Sequence, residues 1–160
     1  MEDITQYTRL DVARRDASGA HAWAMLFARL LLGSVTVWGA AWKIFHVGPF
    51  VSTRIVFVAP LAKSFVPVWV RWLLGFPYPF FELLAGLMIL AGVQLRAGLL
   101  LLAATIVVAA LGDLARAPLG DLPIALLPRT LLVLYLLSTP SVFDDWSVDA
   151  WLARRRRLSS

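Results

Sequence analysis

Residues 77–96, PYPFFELLAGLMILAGVQLR, constrain this chain most. The stretch is almost wholly apolar and, coiled as a helix, about as long as a bilayer core is thick. Near its start stands Glu82, the only glutamate after Glu2. A carboxylate in lipid is costly unless something compensates it, so it marks a candidate site. Glu82, Ala85, Gly86, Ile89, Gly92 and Arg96 recur at three- and four-residue steps and share one helical stripe. That stripe is small and polar, while Leu, Met, Ile and Phe fill the other sides. The small stripe is expected to face other helices and the bulky sides to face lipid.

Hydrophobic residues make up 60% of the 160 positions, and the mean hydropathy is +0.77. A soluble domain does not hold its apolar residues in runs near a bilayer's thickness, so an all-α integral membrane protein of one domain is expected. Cysteine is absent, which excludes disulfides, iron–sulfur ligation and thiol catalysis. The net charge of +5 reflects basic residues flanking apolar segments, so lipid headgroups rather than nucleic acid are the expected partners.

The polar residues 1–20 read as a cytoplasmic N-terminal tail, because a cleavable signal would carry a shorter apolar run without Arg29. A membrane domain at 21–140 follows, with spans at about 21–45, 77–95, 97–115 and 122–139. In the first, Arg29, Gly33, Thr36, Ala40 and Lys43 form a stripe, and Lys43 either snorkels to the interface or joins a buried ion pair. The region 46–76 is broken by Pro49, Pro60, Pro67 and Gly75 and carries Arg54, Lys63 and Arg71. An outer interfacial or re-entrant segment is expected there. Residues 94–97 make a tight antiparallel connection between the second and third spans. Asp121 caps the fourth, within which Pro128 frees the Ile124 carbonyl. Residues 141–160 form a basic C-terminal tail, where Arg154, Arg155, Arg156 and Arg157 are expected to meet anionic lipid or a partner.

Four spans put Arg9, Arg14, Arg15, Arg96 and Arg154 to Arg157 on one side, against Arg54, Lys63, Arg71 and Arg116 on the other. That bias places both termini in the cytoplasm. At about 1.5 Å of rise per residue, Lys43, Glu82, Asp113 and Arg129 then fall in the outer half of one bundle, and Arg29 lies nearer the cytoplasm. Glu82, Arg129, Lys43 and Asp113, together with Arg29, either set helix register or line a pocket that binds a polar headgroup or relays protons. His21 and His46 stand at opposite ends of the first span, so this chain alone cannot ligate a haem through two histidines. No metal site or nucleotide loop is expected, and the apolar middle of 77–115 opposes a continuous wet conduit.

Several motifs together resemble the DoxX/DoxD family of small four-helix bacterial membrane proteins. They are Arg29-x-x-x-Gly33 with Gly39 and Lys43, then Glu82-Leu-x-x-Gly86, Ile89-Leu90-x-Gly92 and Arg96. Trp146-Ser-Val-Asp149-Ala-Trp-Leu is similar to the family's Ser-Leu-Asp ending. The likeness covers most of 21–152. It implies a multi-pass protein of the bacterial inner membrane, serving as the quinone-facing subunit of a thiosulfate:quinone oxidoreductase or as a membrane partner of sulfur-transfer or superoxide-removing proteins. Related MauE-type proteins assist disulfide formation, which a chain without cysteine does not match. On this resemblance Glu82 and Arg129 would contact a quinone headgroup, with Lys43 or Asp113 tuning charge or passing protons. No covalent cofactor is implied. The partners implied are membrane lipids and either other subunits of a redox complex or further copies of the chain. The alternative is a non-catalytic scaffold that recruits soluble proteins through its tail.

Overall fold

The computed structural model describes the backbone at 2–116, 126–139, 147–148, 151 and 155, and side chains at 19–115 and the later positions of that set. Among the described residues every regular element is helical. Helix α1 runs over Glu2–Ala41 and passes into a π-helical turn at Trp42–His46. A short α2, Pro49–Thr53, leads into a second π turn, Arg54–Val58. Then come α3 (Val68–Gly75), α4 (Tyr78–Ala91), α5 (Leu95–Arg116) and α6 (Leu126–Ser138). Among the described residues three stretches are long and apolar enough to cross a membrane: Gly19–His46, Val68–Ala91 and Leu95–Ala115. The protein is thus a helical membrane protein. The expected fourth span is described only at Leu126–Ser138, which is shorter than a crossing length, and Asp121 and Ile124 lie outside the described residues.

Three boundaries differ from the sequence expectation. First, α1 continues back through most of the polar N-terminal residues, which carry no proline and no glycine before Gly19. Second, the second apolar stretch starts at Val68, not at residue 77. Arg71 had made 68–76 look too charged to span. Here Arg71 is buried and donates from Nε to the Val66 carbonyl at 2.8 Å, with Nη1 and Nη2 facing the Val58 and Ser64 carbonyls at 3.5 Å. A cation that satisfies the backbone of the loop beside it can be carried inside an apolar segment. Third, α4 ends at Gly92, which takes the left-handed conformation (φ 67°) as a C-cap and therefore leaves the helical stripe. The Val93 N–H donates to Met88 O in the six-to-one bond of that cap. The hairpin turn is consequently Gly92–Gln94, and Arg96 is an exposed residue of α5.

Three prolines fall where a missing N–H is harmless. Pro49 and Pro79 stand in the first turns of α2 and α4, and Pro67 precedes α3. Residues 49–75 form a helical hairpin in which Gly75 packs on the second π turn; a Cβ there would lie 2.8–2.9 Å from Thr53 and Phe57.

Helices α1 and α4 are antiparallel and meet through two glycines. A Cβ on Gly33 would stand 3.0 Å from the Leu90 backbone, and one on Gly86 would stand 3.0 Å from the Val37 nitrogen. Close approach of backbones through small residues is how membrane helices gain packing without a hydrophobic driving force between them. Along the same seam Met25, Leu32, Ala85 and Ile89 are buried with Leu99 and Leu102 of α5 and Val133 and Leu136 of α6. The buried hydroxyls of Thr36 and Thr105 donate to their own helices, at the Leu32 and Leu102 carbonyls. Gly86→Ala should lower stability by about 1–3 kcal/mol, because the Val37 backbone cannot yield. Gly112→Ala, where nothing lies within 4 Å, should be neutral or stabilising by up to about 1 kcal/mol. Unfolding midpoints in mixed micelles measure both.

Candidate functional site: a carboxylate between two cations

The α1–α4 seam brings its polar residues to two ends. Toward one end the pairing runs Gly33 against Leu90, Val37 against Gly86, then Lys43 against Glu82. Glu82 is sealed, with 1% of its side chain exposed. Its Oε2 accepts from Lys43 Nζ at 2.5 Å, and its Oε1 accepts from Arg129 Nη1 at 3.1 Å. The two cations come from different elements, the π turn after α1 and the first described turn of α6. Each keeps more than a quarter of its side chain exposed, 27% and 29%. The second guanidinium nitrogen of Arg129 lies 3.7 Å from where a Gly39 Cβ would stand, so it passes close over α1 at that glycine.

Sequence reasoning missed Tyr78. Its ring lies beneath the Lys43 ammonium, 5.1 Å from Nζ to centroid, and against Phe57 at 5.1 Å between centroids. Asp113 of α5 is half-buried. Tyr78 stands one helical turn before Glu82, and that four-residue step was the available signal. The earlier start of the second apolar stretch also changes the depth of Glu82. It lies past the midpoint of Val68–Ala91, not just inside a helix end.

Arg29 is not part of this cluster. It is 2% exposed and sits at the opposite end of the seam, where Nη1 would be 2.5 Å from a Gly92 Cβ. A guanidinium there meets the C-terminal end of α4, where the helix dipole favours a cation. Ser147 packs on the same glycine, 2.6 Å from that Cβ position, and ties the start of the C-terminal tail to the bundle. Of the basic run, Arg155 is described, over the Trp151 ring at 5.4 Å; Arg154, Arg156 and Arg157 lie outside the described residues. A groove of about 240 Å³ lined by Trp38, Ala41, Trp42, Phe45 and His46 holds none of the cluster residues.

The fold and the site together define a helical membrane protein with a compensated carboxylate inside its bundle. No protein-family model matches the chain, and neither a curated protein nor a solved structure does.

Chemically, the cluster offers two partly exposed cations held on one buried carboxylate. Lys43 has three N–H donors and Arg129 five, and each gives one to Glu82. Glu82→Gln should cost about 1–3 kcal/mol, since it weakens the hydrogen bonds of two partly exposed cations to the acceptor they share. Lys43→Met should cost less, because Arg129 still compensates Glu82. Unfolding midpoints of the two variants in one lipid mixture give the comparison.

Proposed function

We propose that the chain is a DoxX-like membrane subunit of a redox complex and that the Glu82 cluster receives the headgroup of a quinone. One observation carries the proposal: two cations from separate helices converge on one sealed carboxylate while both stay partly accessible. Quinone carbonyls are acceptors, and the free donors of Lys43 and Arg129 are the complementary groups. A quinone, when bound, supplies two-electron, two-proton acceptor chemistry, and a partner subunit is the source of the electrons. Within this chain Glu82 fixes the two donors, Lys43 Nζ and Arg129 orient the carbonyls, and the Lys43–Glu82 contact can pass a proton between Nζ and Oε2. With four spans, the charge bias of the loops supports both termini on the cytoplasmic side, and the resemblance supports a bacterial inner membrane.

Purified protein in lipid nanodiscs, titrated with a soluble quinone analogue, tests the role. Glu82→Gln should weaken binding at least about tenfold, the loss expected when hydrogen bonds to charged groups are removed or misdirected. Unchanged affinity and unchanged electron transfer would remove the role.

A second reading, a scaffold that recruits soluble partners, is favoured by the exposed Trp151 with Arg155 stacked on it. Deleting 152–160 spares Ser147 and its seat on Gly92. On this reading the deletion should abolish copurification of partners from native membrane, while Glu82→Gln leaves it intact.

A further inference from the structure

Lys43 is placed where lysines ordinarily leave the membrane. It stands near the end of an apolar stretch, on a four-carbon stem, close in sequence to exposed Trp38 and Trp42. A side chain so placed reaches for the aqueous interface. Here its ammonium instead turns inward, onto Glu82 and over the face of Tyr78.

Tyr78 is itself braced. Phe57, buried in the second π turn, meets its ring at an interplanar angle of 59°. Phe57 is backed by Gly75, where a Cβ would come within 2.9 Å of it. A continuous line of contacts therefore runs from the 49–75 hairpin through Phe57 and Tyr78 to Lys43 and Glu82.

We propose that Tyr78 is the positioning residue of the site: its ring face, held by Phe57, keeps the Lys43 ammonium inward beside Glu82 and away from the interface. A cation over an aromatic face is held more strongly as water is removed from it, and the Lys43 side chain keeps only 27% of its surface exposed. The inward position leaves Lys43 a donor toward a ligand, and that consequence rests on the function proposed above. The position itself does not.

The chain offers its own reference. It has two lysines, Lys43 and Lys63, and Lys63 is exposed. Full-length protein in nanodiscs is treated briefly with a water-soluble amine-acylating reagent, and the ratio of acylation at Lys43 to that at Lys63 is read by peptide mass spectrometry. Tyr78→Leu should raise the ratio about fivefold or more, and Tyr78→Phe, which keeps the ring face, should stay at the wild-type ratio. Phe57→Ala, which removes only the brace, should also raise it. An unchanged ratio in Tyr78→Leu overturns the proposal. If that variant fails to fold, an unchanged ratio in Phe57→Ala does so. A raised ratio with no quinone binding by the wild-type protein would sink the proposed function alone. Quinone binding that depends on Glu82, with an unchanged ratio, would sink this inference alone.

Discussion

Everything at one end of this bundle follows from the cost of keeping Glu82 dry. A carboxylate in an apolar interior must be neutralised or compensated, and its two oxygens here take one cation each. That requirement reaches through the fold. It brings α6 to α1, because Arg129 must pass over the helix at Gly39 to reach Oε1. It turns Lys43 away from the interface. It also needs the α1–α4 seam to be close and in register, which Gly33 and Gly86 make possible by bringing backbone against backbone.

Much of this was legible in the residues. The three- and four-residue spacing of Glu82, Ala85, Gly86 and Ile89 identifies the buried face of α4, because a helix carries such positions on one side. The meeting of Lys43, Glu82 and Arg129 was legible as opposite charges on separate antiparallel helices, although Glu82 lies deeper in its stretch than a span starting at residue 77 implies. Where the spacing misleads, tertiary or backbone chemistry overrides it. Arg71 counts as a charge against a membrane segment until its loop carbonyls are seen to satisfy it. Gly92 fits the stripe by number, yet its left-handed backbone ends the helix. Tyr78 gave no signal by residue type, since a tyrosine beside prolines near a helix start reads as an interfacial anchor.

The two π turns mark where the regular helical path is widened by one residue. Val47 bonds back to Trp42, and Ala59 to Arg54, each across five residues. Lys43 belongs to the first turn and Phe57 to the second, so both flank Tyr78 from irregular backbone. Turns of this kind concentrate at functional positions because they re-aim side chains without breaking the helix.

The seat of Ser147 against Gly92 and Arg29 carries a temporal meaning. Ser147 follows α1, α4 and the 92–94 turn in the chain, so this contact forms only after those elements have been made. The seam beside Arg29 thereby gains cover from a residue far along the chain.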